Sequence, residues 1–378
     1  MALTNKRICI TGGAGFIGSH LVSQLVDHNE IVVYDNLHRN ALQFAHLDGH
    51  QHLHFIKGDV LDYDATRKAV DGCQIVIHCA AIAGVYTVDR SAVRTMEVNM
   101  LGTHQVVKAA LDVGVERFVE FSTSEIYGPF VHRGKEEDFT QIGPIGESRW
   151  VYAASKLASE HFSYAHYRED KLPLAIVRPF NVYGPRQVGD GAIRGLTLQA
   201  LRNLPITLYN DGTQIRSWCF VSDFVDGVLR CAENPAAIGQ AFNLGNPQGT
   251  ATNFELANLI IRLTGSKSEI VFKPHPGPEV DLRVPSIEKA MRLLDFKPTV
   301  SLDGLVTVMG RTDAGAFVTV DRGMGDDRVQ VKGDGSFIYY FQVRETGRHP
   351  VLVKARKRDG GGVAEKTVYA EIGIEEGD

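Results

Sequence analysis

Cysteine is scarce in this sequence and gives no sign of a cross-linked or metal-binding framework. The five cysteines, Cys9, Cys73, Cys79, Cys219 and Cys231, are widely scattered, odd in number and include no Cys-x-x-Cys pair. Several of them lie in apolar runs that resemble strands. This usage predicts reduced thiols in a protein core rather than disulfides or a zinc site.

Long apolar runs and runs of like charge are also missing. No apolar stretch approaches the roughly 20 residues of a membrane span, and the N-terminus MALTNKRICITGG enters a strand-like run at once. The net charge of −5 and the pI near 6.3 provide no basic field for nucleic acid or anionic lipid. We therefore predict a cytoplasmic protein that acts on a small molecule, with no nucleic-acid or membrane partner.

Histidine is concentrated in one stretch, HLDGHQHLH, which lacks the partners of a metal site. His46, His50, His52 and His54 could in principle share an ion. No cysteine or acidic residue is spaced to complete the ligand set, and the stretch leads into a predicted strand. We interpret it as an exposed, polar strand start and predict no metal site.

Short apolar runs alternate with helical patterns along most of the chain. The runs are RICIT, EIVVYD, HLHFIKGD, QIVIHCA, RFVEFS and LAIVRPF. Strands separated by helical stretches predict an α/β protein with a doubly wound parallel sheet. From about Asp303 the pattern changes to six short alternating runs between Gly- and Asp-rich turns, which predicts a small all-β sandwich.

The first run is followed by a glycine motif of the kind that binds a dinucleotide. In TGGAGFIG, residues 11–18, Gly12, Gly15 and Gly18 follow a strand and open a helix, where the backbone can approach a pyrophosphate. The second run ends in Asp35, and an acid there can accept the adenosine ribose hydroxyls and repel a 2′-phosphate. The motif therefore predicts NAD rather than NADP. A tight turn without a ligand is the alternative.

A Tyr–Lys pair comes after the fifth run. In YAASK, Tyr152 and Lys156 are four residues apart and share one face of a helix. An adjacent ammonium and a positive nicotinamide favour the phenolate of Tyr152, which can then take a proton from a substrate hydroxyl while hydride leaves the same carbon. Thr123 would hydrogen-bond to that hydroxyl. Such pairs also occur on ordinary helices, so the interpretation depends on the glycine motif and on FSTSEIYG.

Together these motifs resemble the extended short-chain dehydrogenase/reductase family, in particular its NAD-dependent nucleotide-sugar epimerases, dehydratases and decarboxylases. The resemblance covers about residues 5–305 and is carried by TGGAGFIGSHL, STSEIYG, YAASK, RPFNVYGPRQ and NDGTQIRSWCFVSDFVDG. It implies a Rossmann-type NAD-binding domain at 1–180, with later segments returning to it, and a smaller nucleotide-sugar-binding lobe at 181–302. Residues 303–378 resemble bacterial immunoglobulin-like modules.

The resemblance also implies residue roles and a homodimer formed through the helices after Asn99 and Tyr152. Asn181, Arg216 and Arg283 fall where the family contacts the substrate diphosphate, which suits the phosphate-binding fork of arginine. The implied catalytic set is Thr123, Tyr152 and Lys156, with Glu125 and Ser124 beside them. The implied NAD contacts are Gly12, Gly15, Phe16, Ile17, Gly18, Asp35, Asn36, Asp59, Val60, Ala80, Ala81, Asn99, Tyr152, Lys156 and Pro179.

Glu125 bears on the fate of the sugar after its oxidation at C4, which makes a carboxyl group at C5 a β-keto acid. Family dehydratases commonly carry Thr-Asp-Glu here, whereas this chain resembles some dehydratases and the UDP-glucuronate decarboxylases in reading Thr-Ser-Glu. A simple 4-epimerase has no obvious need for the carboxylate. The loop AAIAGV, residues 80–85, nevertheless resembles that of uronate 4-epimerases.

We therefore predict a UDP-sugar 4-epimerase that works through a transient 4-keto intermediate, with a UDP-uronate among the candidate substrates. The alternatives are a UDP-glucuronate decarboxylase and then a nucleotide-sugar 4,6-dehydratase, and Glu125 could instead only cap the following turn. Outside enzyme classes, the alternative is a non-catalytic NAD-binding regulator or a scaffold built on the β tail.

Overall fold

A computed structural model describes residues 3–275, 277 and 279–302, together with six strands between residues 305 and 372. The chain divides into two units, Met1–Pro298 and Thr299–Asp378. Within the described residues, no helix combines the length and the apolar character that crossing a membrane requires.

The first unit alternates helices and strands along most of its length. Its α-helices are α1 (Phe16–Leu25), α2 (Tyr63–Val70), α3 (Val85–Arg90), α4 (Ala92–Met96), α5 (Thr103–Val113), α6 (Ser148–Glu169), α7 (Ala192–Leu201), α8 (Val221–Glu233), α9 (Asn253–Thr264) and α10 (Glu288–Leu294). Its strands are β1 (Arg7–Thr11), β2 (Glu30–Asp35), β3 (Leu53–Lys57), β4 (Ile75–His78), β5 (Arg117–Phe121), β6 (Phe130–Gly134), β7 (Leu174–Pro179), β8 (Val182–Tyr183), β9 (Ile206–Tyr209), β10 (Ile215–Ser217), β11 (Cys219–Phe220), β12 (Gln240–Leu244), β13 (Thr250–Thr252), β14 (Ile270–Lys273) and β15 (Leu282–Pro285). A π-helix spans Glu97–Gly102, and short 3₁₀ helices span Leu42–Ala45, Ser124–Tyr127, Pro235–Ala237 and Pro247–Gly249.

Seven parallel strands form the central sheet, in the order β12-β7-β5-β4-β1-β2-β3. Six of them coincide with the predicted apolar runs, whereas β12, at the edge beside β7, was not predicted. The chain order reverses between β1 and β4, which is the switch point outside which ligands bind in doubly wound sheets. The predicted doubly wound parallel sheet is confirmed.

Side chains of this sheet alternate between two apolar cores. Ile8 and Ile10 of β1 pack with α1, α8 and α10 on one face, while Cys9 packs with α2 and α5 on the other. All three side chains are fully buried. A parallel sheet covered on both faces is apolar at successive positions, which explains the continuous runs in the sequence. The five cysteines are free and all except Cys79 are buried, in agreement with the prediction of core thiols.

A smaller mixed sheet, in the order β13-β10-β15-β6, extends the first unit beyond the central sheet. Strand β15 pairs in parallel with both neighbours, so Arg283 lies opposite Arg216 of β10 and opposite Val131 of β6. Because β6 begins shortly after β5 ends, this sheet carries residues from late in the chain to the carboxyl end of β5. The predicted domain boundary near residue 180 stays a prediction.

The second unit contains β16 (Leu305–Arg311), β17 (Phe317–Asp321), β18 (Asp326–Val329), β19 (Ser336–Gln342), β20 (Gly347–Arg356) and β21 (Val363–Ile372). Strands β16 and β19 form one antiparallel pair, and the others form an antiparallel sheet in the order β18-β17-β20-β21. Each of the six predicted alternating runs overlaps one of these strands. The likeness to immunoglobulin modules stays a prediction.

Candidate active site

A cavity of about 540 Å³ opens at the carboxyl ends of β1, β2 and β4, beside the switch point. Its volume is in the range of ligand-binding pockets. The predicted NAD contacts that line it are Gly12, Gly15, Phe16, Ile17, Gly18, Asp35, Asn36, Asp59, Val60, Ala80 and Ala81. The other predicted contacts, Asn99, Tyr152, Lys156 and Pro179, are not among its described lining residues.

The glycines leave room for a ligand where side chains would close the cavity. Gly12 has φ of +70°, and a Cβ added to it would lie 2.6 Å from the Ala80 backbone nitrogen. A Cβ on Gly18 would overlap the Gly12 carbonyl oxygen. Helix α1 begins after Gly15 without a side-chain cap, so its first backbone N–H groups are available to an anion. This cradle fits the pyrophosphate of NAD.

Asp35 stands at the end of β2 with its carboxylate held by backbone groups. Its Oδ2 accepts from the Ala14 backbone N–H at 3.0 Å, and its Oδ1 accepts from that of Leu37 at 2.7 Å. Burial raises the pKa of Asp35, and these backbone bonds oppose the rise. Each oxygen can accept a further hydrogen bond, so the carboxylate fits the adenosine ribose hydroxyls.

Thr123, Tyr152 and Lys156 come from the turn after β5 and from α6. The hydroxyl of Thr123 accepts from the Glu125 backbone N–H at 3.2 Å and caps the 3₁₀ turn. Burial raises the pKa of Tyr152 to about 12, and a hydrogen bond with Thr123 opposes this rise. The neighbouring ammonium was expected to lower this pKa, but burial dominates here. The Lys156 ammonium is buried and has no hydrogen-bond partner among the described residues.

Glu125 is held in a cluster of arginines. Arg283 binds both of its carboxylate oxygens, with a distance of 3.1 Å from Nη2 to Oε2, and also donates to the Gly128 carbonyl at 3.1 Å. Arg149 lies 3.5 Å from Oε2. Burial alone would raise the pKa of Glu125, but Arg283 and Arg149 hold it at about 2. The carboxylate is therefore ionised at neutral pH.

Residues 8–245, which contain the cavity and the Tyr–Lys pair, match the NAD dependent epimerase/dehydratase family. The chain belongs to this family. UDP-glucuronic acid decarboxylase 1 of Arabidopsis thaliana is 36% identical to it over 301 residues, which cover 78% of this chain and 67% of that relative.

Solved epimerases share the fold of this epimerase/dehydratase. An epimerase from Methanothermobacter thermautotrophicus has a TM-score of 0.74 at 30% identity, covering 79% of this chain and 89% of that one. A UDP-glucuronic acid 4-epimerase from Bacillus cereus, solved with UDP-glucuronic acid and NAD, has a TM-score of 0.73 at 29% identity, covering 79% and 95%. The chain is thus an NAD-dependent enzyme of the nucleotide-sugar epimerase/dehydratase type, and the predicted cofactor is confirmed.

Two side chains predicted to bind the substrate of this epimerase/dehydratase, Arg216 and Asn181, are hydrogen-bonded to backbone carbonyls of the protein. Arg216 donates to the carbonyls of Ile215 at 2.9 Å and Val280 at 2.5 Å. Burial, Arg283 and then Arg149 lower its pKa to about 10. Asn181, with φ of +39°, donates to a backbone carbonyl in β10 at 2.9 Å. Their contact with a diphosphate stays a prediction.

Asn99 lies in the π-helix and joins the wall of the cavity to the catalytic helix. Its side chain accepts from the Ile82 backbone N–H at 2.8 Å and donates to the Ile82 carbonyl at 3.1 Å. It also donates to the Ser155 hydroxyl of α6 at 3.0 Å. Asn99 thus links the cavity wall to α6 through hydrogen bonds, and its predicted direct contact with NAD stays a prediction.

Two cationic side chains in the cavity wall were not predicted from the sequence. Arg94 pairs with Asp59 at 2.5 Å. Arg39 donates to the Thr87 hydroxyl at 2.8 Å and lies 3.8 Å from Asp190. Asp59, Thr87 and Asp190 come from distant parts of the chain, although Arg94 also pairs with Glu97 three residues away. Only the folded structure reveals that these two side chains lie in the cavity wall.

The histidine stretch contacts an acid from a neighbouring strand. His52 and His54 bind the two oxygens of Glu30 at 2.5 Å and 2.6 Å. Glu30 belongs to β2, which pairs with β3, so sequence spacing within the stretch could not reveal it. Over the part of the chain that the structure describes, no group of His, Cys, Asp or Glu is arranged to hold a metal ion.

Proposed function

We propose that this enzyme decarboxylates UDP-glucuronate through a 4-keto intermediate. The observation that carries the proposal is the partly buried ion pair between Glu125 and Arg283 at the end of β5, beside Thr123. A 4-epimerase turns the 4-keto sugar and returns hydride to its other face, which requires no ionised pair near C5. A decarboxylase must release the C5 carboxylate as carbon dioxide and then protonate C5.

Bound NAD would supply a hydride acceptor for the oxidation of C4 and a hydride donor for the reduction of the ketone. Tyr152 takes the proton from the C4 hydroxyl and gives it back when the ketone is reduced, and Thr123 orients that hydroxyl. Lys156, whose ammonium has no partner in the described structure, is available to the nicotinamide ribose. Asp35 and the glycine cradle hold the adenosine half. Burial raises the pKa of Tyr152 to about 12, so its phenolate would need the positive charges of Lys156 and of a bound nicotinamide.

The Glu125–Arg283 pair explains why a uronate would lose its carboxylate. Three guanidiniums, those of Arg149, Arg216 and Arg283, surround one carboxylate, which leaves positive charge to attract a second anion. A substrate carboxylate in this position is also repelled by Glu125. This repulsion falls during loss of carbon dioxide, because the negative charge moves from the carboxylate to the 4-keto oxygen. C5 then takes a proton from an exchangeable donor.

A 4-epimerase is the second candidate, and specific observations favour it. The loop at residues 80–85 resembles that of uronate 4-epimerases, and the chain is structurally similar to the Bacillus cereus UDP-glucuronic acid 4-epimerase. Hexose 4,6-dehydration is disfavoured because Ser124, which is buried, replaces the acid that would protonate the leaving hydroxyl.

The test is to incubate the enzyme with NAD and UDP-glucuronate in heavy water and to identify the product by proton NMR and mass. Decarboxylation predicts loss of carbon dioxide and one deuterium at C5. An equal-mass galacto product without deuterium would overturn the proposal and establish the epimerase. Glu125→Gln should slow decarboxylation sharply. Glu137→Gln, which changes a 70% exposed carboxylate paired with Lys289, is the matched control and should leave the rate unchanged.

We also propose a homodimer formed through the π-helix region and α6. Val93 of α4, which leads into the π-helix, is 75% exposed, and Leu101 of the π-helix and Tyr164 of α6 are 54% and 42% exposed. Burying them against a second copy would remove apolar surface from water. Light scattering of wild type and of Val93→Glu tests this, and a wild-type monomer would overturn it.

A further inference from the structure

A buried layer behind the Tyr–Lys pair contains polar atoms without partners. Glu120 of β5 is 0% exposed, and neither of its carboxylate oxygens has a hydrogen-bond partner among the described residues. The Lys156 ammonium and the Ser163 hydroxyl also lack hydrogen-bond partners among the described residues. They lie seven positions apart on the buried face of α6. A buried charge is costly unless another group balances it. The question is therefore which group balances each of these buried ionisable side chains.

Glu160, one turn beyond Lys156 on α6, is already paired. Arg178 of β7 donates from Nε to its Oε2 at 3.2 Å, and Nη2 binds the other oxygen. The two side chains are 9% and 7% exposed. Glu120 is thus the carboxylate of this layer whose oxygens remain unbonded in the described structure.

The neighbouring strand β4 supplies no balancing charge. His78 lies opposite Glu120 in register, and its two ring nitrogens are bonded to buried threonine hydroxyls at 2.7 Å and 2.9 Å. Burial and then Lys156 lower the pKa of His78 to about 3, so the ring is neutral. Burial raises the pKa of the next residue, Cys79, which keeps its thiol protonated.

The electrostatics couple Glu120 to Lys156. Burial raises the pKa of Glu120 to about 7, and the Lys156 ammonium is the largest influence that opposes the rise. Burial lowers the pKa of Lys156, and Glu120 is the first of the groups that oppose this fall, ahead of Cys79 and Glu160. Ser163 is close enough to lower the pKa of Glu120, although the two do not meet the geometry of a hydrogen bond.

We infer that Glu120 is a positioning residue for the reaction: its carboxylate balances the buried Lys156 ammonium and keeps it charged while Tyr152 exchanges the substrate proton. The inference rests on the roles proposed for Tyr152 and Lys156, but not on the choice between decarboxylation and epimerisation. Because the pKa of Glu120 is about 7, its support of Lys156 is present above that pH and is lost as the pH falls through it.

The first test is the pH profile of kcat for Glu120→Gln, which replaces the carboxylate by a neutral group of the same size. Lys156 should lose its proton more readily, so we expect the alkaline limb to move down by about one pH unit. Glu120→Leu should show the same shift. Ser163→Ala, the matched control in the same layer, should leave the limb in place. An unshifted limb in both Glu120 variants would contradict the inference.

A second measurement does not depend on turnover. In protein labelled with ¹³C at the glutamate carboxyl groups, the resonance that is absent from Glu120→Gln should titrate near pH 7 in the wild type. Lys156→Met removes the balancing ammonium, so the midpoint of that resonance should rise by about one pH unit. A midpoint unchanged in Lys156→Met would overturn the coupling. Full activity of Tyr152→Phe would instead refute the proposed chemistry and leave this titration standing.

Discussion

Glu125 should make a pH-dependent contribution to folding stability that can be worked out from its ion pair. Burial would raise its pKa above the ordinary value of 4.5, but Arg283 and Arg149 hold it at about 2. This difference corresponds to about 3 kcal/mol of unfolding free energy at neutral pH. Its side chain is 21% exposed and that of Arg283 2%, so water screens the pair only in part. Glu125→Gln should therefore destabilise the first unit by up to about 3 kcal/mol.

The sign of the pH dependence is set by the lowered pKa. The stabilisation is complete above the unfolded-state pKa near 4.5 and is lost as the pH falls through the folded-state pKa near 2. Between pH 7 and pH 3 the wild type should lose about 2 kcal/mol through Glu125, whereas the glutamine variant has no such group to titrate. Urea unfolding at pH 7, 5 and 3 should show the two proteins converging by this amount.

Glu288→Gln is the control for this measurement. Glu288 pairs with Arg133, and the two side chains are 64% and 65% exposed, so the pair is well screened. Its loss should change stability little and should not add to the acid dependence. If Glu125→Gln were as stable as the wild type at pH 7, the ion pair with Arg283 would not hold the site together, and the reasoning would fail.

Further predictions test the active site and the core. Tyr152→Phe should lower turnover by about 10²- to 10⁴-fold, measured by steady-state rates, while bound NAD measured by absorbance is retained. Gly12→Ala places a Cβ 2.6 Å from the Ala80 nitrogen at φ of +70° and should weaken NAD binding at least tenfold by calorimetry. Arg178→Met leaves Glu160 buried without its partner and should cost about 3 to 5 kcal/mol in urea unfolding. Unchanged values in any of these assays would contradict the corresponding contact.

The central sheet was predictable because most of its strands are buried on both faces. EIVVYD, for example, coincides with β2, and its last five residues are buried. Strand β12 escaped prediction because its sequence, QAFNL, places Gln240 and Asn243 among apolar residues at the edge of the sheet. Asn243 is fully buried there and donates to the carbonyls of Gly134 and Ser286. Those bonds depend on tertiary structure, which a local pattern does not contain.

The residues of the candidate site likewise include some that the sequence predicts and some that it does not. Gly12 and Asp35 belong to continuous strand–helix units, so their spacing alone predicts the cavity that they line. Arg94, in contrast, lies on a helix 35 residues after Asp59, and no local sequence pattern predicts that the two side chains pair. Glu120 was interpreted as part of an apolar strand, and only its burial and its unbonded oxygens distinguish it.

The topology also explains why the reaction is harder to predict than the cofactor. Glu125 lies just after β5, whereas Arg283 lies 158 residues later and reaches it because β15 pairs with β6. From the sequence, Glu125 alone did not decide the reaction, and the prediction of a 4-epimerase rested on the loop at residues 80–85. In the proposed reaction a substrate carboxylate lies beside both Arg283 and Glu125, and its repulsion by Glu125 is relieved when it leaves as carbon dioxide. The proposal of decarboxylation therefore depends on a contact between two distant segments, and Glu125→Gln tests that contact directly.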